Sequence, residues 1–186
     1  MSVNSFFDEG ELKKIGFKSL GKNVLISKKA SIYGQEKITI GNNVRIDDYC
    51  LLSGKINLHN NIHISAYSAL YGGDAGIEMM DYSGLSGKCS VYALSDDFSG
   101  KYLVNSTVDI KYRNVIEKSV LIEKYVQIGA GSTVLPGVVI KEGTCVGSMS
   151  LVNKSLDAWK IYIGVPCRIL KERERTMLNF VDMIDG

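Results

Sequence analysis

Proline and histidine are scarce in this chain, two of each in 186 residues. So few histidines exclude any site that draws three imidazoles from one polypeptide, such as a three-histidine zinc centre. Neither sign of charge dominates either: 22 Lys and Arg face 20 Asp and Glu, a net of +2. That balance leaves no electrostatic footprint for nucleic acid, and no basic run suggests a helix lying on a membrane. No apolar stretch approaches the roughly 20 residues of a transmembrane span. The opening Met1-Ser2-Val3-Asn4-Ser5 has neither the basic flank nor the apolar segment of a secretion signal. A cytoplasmic protein is expected, with no nucleic-acid or membrane partner. The four cysteines, Cys50, Cys89, Cys145 and Cys167, have no C-x-x-C spacing. They read as reduced thiols in the interior rather than as metal ligands or disulfides, and no metal is expected.

What the chain does have is aliphatic mass in a strict order. Leu, Ile and Val recur at every sixth place from Ile40: Ile46, Leu52, Leu58, Ile64, Leu70. They do so again from Ile116: Ile122, Ile128, Val134, Ile140, Val146, Val152. These residue types make up about a quarter of the chain, so seven hits in seven would arise by chance roughly once in ten thousand trials. Four residues after each anchor stands a small or β-branched residue, as in Val44, Cys50, Ile56, Ile62 and Ser68, or Val120, Val126, Ser132, Val138 and Thr144. Two inward residues two apart, then a turn, is strand alternation interrupted every six residues. A helix would need spacings of three and four. Three such sextets close a triangle, and stacked triangles bury a continuous aliphatic column.

The blocks run from Leu20 through Ile32, from Ile40 to about Ala75 after a two-residue insertion at Ile38-Thr39, from Met79 to Val91, and from Ile116 to Leu156. About six coils result. Periodicity lapses between Asp96 and Val115, and an interruption of that length in a regular solenoid is more often functional than accidental. The segment from Ser5 through Phe6, Phe7, Leu12, Ile15 and Gly16 predicts a short N-terminal helix, and Ile169 to Met183 predicts an amphipathic C-terminal one. The expected organisation is a cap helix over residues 1–19, the repeat over 20–157 with its excursion at about 96–115, and a C-terminal extension over 158–186.

This pattern resembles the hexapeptide-repeat family of acyltransferases. The resemblance covers nearly the whole chain and is most specific in Ile128-Gly129-Ala130-Gly131-Ser132, Val146-Gly147-Ser148-Met149-Ser150 and Tyr162-Ile163-Gly164-Val165-Pro166-Cys167-Arg168. The last segment is similar to the family's G-x-P-A-K/R element, with Cys167 where Ala is usual. The resemblance implies an all-β protein, a left-handed parallel β-helix, and the handedness comes from it alone. It further implies a homotrimer with active sites between subunits and acetyl-CoA as co-substrate. Ser95-Asp96-Asp97-Phe98-Ser99-Gly100 looks like the acetyltransferases found with surface-polysaccharide genes.

The family's CoA site, carried onto this chain, places small Ala130 and Ser148 where the backbone approaches a pantetheine arm. Lys154 and Arg168 then stand where an adenosine phosphate would end. The excursion, with Ser95, Asp97, Phe98, Tyr102 and Arg113, would meet a sugar or nucleotide. Many members carry a catalytic histidine where the loop begins, in a pattern like Y-T-x-T-H. Here the residues are Tyr92-Ala93-Leu94-Ser95-Asp96, so Asp96 holds the histidine's place. A carboxylate is a poor base for a sugar hydroxyl at neutral pH, whereas an amine nucleophile needs less help. The departure favours N-acetylation of a nucleotide-linked amino sugar for surface polysaccharide, with O-acetylation of a galactoside-like hydroxyl as the alternative and a non-catalytic scaffold as a third reading. His63 and Asp96 sit at different corners of the triangle; across a three-fold axis His63 would serve as base with Asp96 orienting it.

Overall fold

The computed structural model of the chain describes residues 5–185. Two- and three-residue strands pair in parallel with the strands one coil above and below, in three faces that enclose the aliphatic column. Isoleucines, leucines and valines at the predicted places are excluded from solvent: Ile46, Leu52, Ile64, Leu70, Ile128, Val134, Ile140 and Val152 are all 0–1% exposed. Each buried side chain of this kind stabilises the fold by about 1.5–3 kcal/mol.

The first face stacks Ser31–Tyr33, the start of Leu51–Leu58, the start of Ala69–Met79, Ser90–Tyr92, Thr133–Val134 and Leu151–Val152. The second stacks Ser19–Leu20, Ile38–Ile40, the ends of the two long strands, Val120–Ile122 and Val139–Ile140, and a bridge from Ile140 to Leu156 continues it. The third carries seven parallel strands from Leu25–Ile26 to Lys160–Ile163 and then an antiparallel one, Arg168–Glu172. There are thus seven levels and not six. The added level begins at Leu156, which closes the last clean sextet, and is completed by Tyr162 and Cys167; all three are nearly inaccessible.

Other expectations shift in detail. Ile38-Thr39 is no insertion: Ile38 is 0% exposed and pairs in register with Ile56, so it fills the second inward place of its coil. The extra residues are the 3₁₀ turn Gln35–Lys37, entered through Gly34 at φ 70°. Ile116 falls on the sixfold period yet is 39% exposed, because it belongs to a side ladder outside the column. The N-terminal helix, α1, is Glu9–Ile15, capped by Asp8 and not Ser5: Asp8 accepts from the Glu11 N–H while Glu11 accepts from the Asp8 N–H. Gly16, left-handed at φ 86°, ends it. The C-terminal helix, α2, is only Leu178–Asp185. Ile169 and Leu170 instead lie on the antiparallel strand, where the chain reverses after the cis Val165-Pro166 peptide.

The turn joining the second face to the third is held by a column of residues in the left-handed region: Asn23, Asn43, Asn61, Tyr82, Tyr125, Gly143 and Trp159. Asn23 donates to the Asn43 side-chain carbonyl and Asn43 to that of Asn61, each at 3.0 Å. Higher up, Tyr82 stacks on Tyr125, and Trp159 leans across Gly143 onto Tyr125 with ring centres 6.3 Å apart. A Cβ on Gly143 would collide with the Trp159 ring. No helix among the described residues is long and apolar enough to cross a membrane.

Candidate functional site

The excursion leaves the column after Tyr92 at the turn between the first and second faces. Leu94–Asp96 and Val115–Glu117 run antiparallel and clamp its base, so the lapse of periodicity is an ordered arm. Asp97 fastens the next layer: its carboxylate accepts from the Ser99 N–H at 2.8 Å and from the Asn114 side-chain amide at 2.9 Å. The hydrogen bond from Ser99 and that from Asn114 hold its carboxyl below the usual range. Farther out, Phe98 is 83% exposed and Tyr102 is also open to solvent.

Under the arm lies a cleft of about 300 Å³, walled by Tyr71, Tyr92, Leu94, Ser95, Asp96, Ser106, Arg113 and Val115. Asp96 accepts a hydrogen bond from the Asn105 N–H at 3.2 Å, and Arg113 donates from Nη1 to the Asn105 carbonyl at 2.8 Å. The Arg113 Nε is buried with no partner. Tyr71 and Tyr92 stand at the same place on successive coils and stack with ring centres 4.8 Å apart and nearly parallel planes. Of the residues predicted on the excursion, Asp96, Ser95 and Arg113 therefore meet in one cleft. Asp97 serves the arm itself, while Phe98 and Tyr102 lie outside the cleft. Sequence reading does not single out Tyr71 or Ser106; the recurrence of tyrosine directly after the anchors Leu70 and Val91 is the signal that marks Tyr71.

His63 lies on the third face, half exposed, its Nε2 2.8 Å from the Asp47 carboxylate. Within one chain its carboxylate partner is thus Asp47 and not Asp96. Burial alone would raise the Asp47 carboxyl, but hydrogen bonds from Arg45 and His63 outweigh it and hold the group below its ordinary value. His59, the other histidine, pairs with Glu78 at 2.7 Å.

Ala130 and Ser148 are exposed and neighbours on the turn between the third and first faces, where the Met149 N–H donates to the Ala130 carbonyl. Gly129 and Gly147 beside them have no room for a side chain: a Cβ on Gly129 would strike the backbone of Gly147 and Ser148. Lys154 and Arg168 line one recess of about 290 Å³ with Ser155, Asp157, Tyr162 and Cys167. Cys50, Cys89 and Cys167 are buried, and burial pushes their thiols up, away from the nucleophilic thiolate. Among the described residues, no group of three or more His, Cys, Asp or Glu is placed to hold a metal ion.

Comparison with known proteins matches residues 119–154 to the bacterial transferase hexapeptide model, described as six repeats. Over 178 residues the chain is 42% identical to the dTDP-4-amino-4,6-dideoxy-D-glucose acyltransferase of Escherichia coli, spanning 94% of this chain and 92% of that one. The chain belongs to the hexapeptide-repeat acyltransferases. Among solved structures of the family, an aspartate-to-alanine variant of AntD, an N-acyltransferase from Bacillus cereus, in complex with dTDP and coenzyme A, superposes with a TM-score of 0.96 at 53% identity, covering 98% of each chain. AntD has also been solved with dTDP and 3-hydroxybutyryl-CoA. A hexapeptide-repeat acetyltransferase from Vibrio cholerae shares the fold at a TM-score of 0.60 and 20% identity, over 92% of this chain and 81% of that one. The protein is therefore an acyl-CoA-dependent acyltransferase of this family.

Proposed function

We propose that the chain acylates the amino group of a dTDP-linked 4-amino-4,6-dideoxyhexose destined for surface polysaccharide. The observation that carries this is the 42% identity to an enzyme named for that sugar, together with Asp96 standing where many members of the family carry histidine. The donor is an acyl-CoA; acetyl is the sequence-based expectation, and a four-carbon hydroxyacyl donor is bound by AntD. The working assembly is a homotrimer in the cytoplasm, with each site shared between neighbouring copies.

In this reading the neutral amine attacks the thioester carbonyl directly. A C–N bond forms, the C–S bond breaks through a tetrahedral oxyanion held by a backbone N–H, the amine loses one proton and the departing thiolate gains one. Asp96 accepts a hydrogen bond from the amine and receives its proton late in the step. AntD has been solved with changes at a serine and at an aspartate ten positions further on. Ser86 and Asp96 repeat that order and spacing here, which supports a role for both, although they sit at different turns of one chain. Ser86, half-buried and within 3.4 Å of the Gln127 side-chain amide, then serves the Asp96 of a neighbouring copy. His63, with Asp47 behind it, is the alternative base. Ser95 and Arg113 bind the sugar nucleotide with Asp96, and Asp97, Phe98 and Tyr102 act on it from the arm. Ala130 and Ser148 pass the pantetheine arm, and Lys154 and Arg168 bind the phosphate end of CoA.

Mass spectrometry of mixtures containing acyl-CoA and either dTDP-4-amino-4,6-dideoxyglucose or its 4-hydroxyl analogue tests the proposal. Acylation of the amine alone is expected. Preference for the hydroxyl compound would overturn it. In the same assay His63→Gln retains turnover if Asp96 suffices and abolishes it if His63 is the base.

A further inference from the structure

The arm folds back onto its own base at Asn105, midway along it. The Asn105 N–H donates to the Asp96 Oδ2 at 3.2 Å, and the Asn105 carbonyl accepts from the Arg113 Nη1 at 2.8 Å. The Val108 N–H donates to the same carbonyl at 3.1 Å. The side chain is engaged elsewhere: its Oδ1 accepts from the Thr107 N–H and from the Thr107 hydroxyl, each at 3.2 Å, as in an Asx turn. The backbone of one residue thus joins Asp96, where the arm begins, to Arg113, where it ends. Both of those side chains line the cleft.

An unusual backbone angle makes this junction. Among the described residues, ten other non-glycine residues have positive φ; all stand on turns of the column, at 55–62°, inside the left-handed well. Asn105 stands apart at 97°. Conformations so sparsely populated persist only where the surroundings hold them, and they gather at active sites. Asparagine is among the few residues other than glycine that tolerate the left-handed side, and the bonds from Thr107 and Val108 keep it there. Asp96 depends on the result. Among the described residues its carboxylate has no other hydrogen-bond donor, and only Oδ2 is engaged. A carboxylate held at one oxygen by one N–H loses its bearing when that N–H turns away.

We propose that Asn105 is a positioning residue of the acyl transfer. Its backbone aims the N–H that fixes the Asp96 carboxylate and the carbonyl that fixes the Arg113 fork, so carboxylate and cation keep one spacing across the cleft. The inference rests on the reading of Asp96 as proton acceptor given above and names what orients it. Asn105 itself touches neither substrate nor the reacting atoms in this role; it acts through Asp96. Small errors in the placement of a reacting group are expensive in rate, which is why a residue on the arm can govern turnover.

Steady-state kinetics of the intact enzyme with dTDP-4-amino-4,6-dideoxyglucose and acyl-CoA tests it. Asn105→Ala and Asn105→Gly both delete the bonds from Thr107, but only glycine adopts so positive a φ without a Cβ penalty. The two variants therefore separate backbone conformation from side-chain bonding. Asn105→Ala is expected to lower kcat about tenfold with KM for acyl-CoA unchanged, and Asn105→Gly to restore at least about half of the parental kcat. Placed on Asp96→Asn, Asn105→Ala is expected to lower kcat no further, since residues that act through one group are not additive. A merely structural role would impair both variants equally, or multiply its loss on that of Asp96→Asn. Either result overturns the proposal, as does parental kcat in Asn105→Ala. Asn105 is exposed, and an unchanged KM for acyl-CoA shows that the column keeps its fold. Parental kcat in Asp96→Asn alone would instead bring down the reading of Asp96, and with it the role given to Asn105.

Discussion

Asp96 and Asp47 show how position decides what a carboxylate does. Asp96 faces the cleft with one backbone N–H as its protein donor, which leaves acceptor capacity for an incoming amine. Asp96→Asn keeps the shape but removes the proposed proton acceptor; kcat should fall about 100-fold with KM for the sugar nucleotide nearly constant. Steady-state kinetics at fixed acyl-CoA measures both. Asp47 is tied to Arg45 at 2.7 Å and His63 at 2.8 Å. Its folded pKa is depressed, so its stabilising contribution is complete above the unfolded carboxylate value, near pH 4, and is lost as pH falls through the folded value. Urea denaturation at pH 7 and pH 3 should therefore show a smaller acid loss in Asp47→Asn than in the parent. Asp96 is legible in the sequence because it breaks a pattern. The Asp47–His63 pairing is not, since both are outward residues 16 apart whose meeting depends on the coil register.

At the scale of elements, each turn carries its own fitting. Gly143→Ala adds a methyl at φ 66° and drives it into the ring of the sole tryptophan. A loss of about 1–3 kcal/mol is expected, and Trp159 fluorescence should shift in the folded state, a change that strain remote from the ring would not produce. The arm depends on Asp97 in a different way. Asp97→Ala releases Ser99 and Asn114, so hydrogen exchange over residues 97–114 should rise while the thermal midpoint stays nearly constant and KM for the sugar nucleotide increases. The sixfold period reads the inward residues of nearly every strand correctly, because burial in a narrow column tolerates little but aliphatic side chains. It misplaces Ile116, whose strand pairs antiparallel outside the column, while the stretch from Ile169, expected as helix, begins on a strand that pairs antiparallel with the last coil. Periodicity records which residues face a core, not which strand lies beside them. The two ladders differ in consequence: Ile128→Ala, at 0% exposure, should cost about 2–5 kcal/mol, whereas Ile116→Ala should cost under about 1 kcal/mol.

The whole molecule is a column in which every level rests on the next, with the cleft at mid-height and the Lys154–Arg168 recess at the C-terminal end. In the proposed assembly, donor and acceptor sites placed on turns would be shared by neighbouring copies without disturbing the interior. Light scattering should accordingly give about 61 kDa, three chains of 20.4 kDa each. Coenzyme A at 100 times its Kd should raise the folding stability by about 2.7 kcal/mol, read as an upward shift of Tm. Arg168→Ala should diminish that shift and leave dTDP binding intact. The reversal of direction at Arg168–Glu172 has a further consequence. A ladder of parallel strands is a template that can lengthen indefinitely by docking the base of one molecule on the top of another. An inverted final rung presents the wrong polarity for such growth on its face of the column.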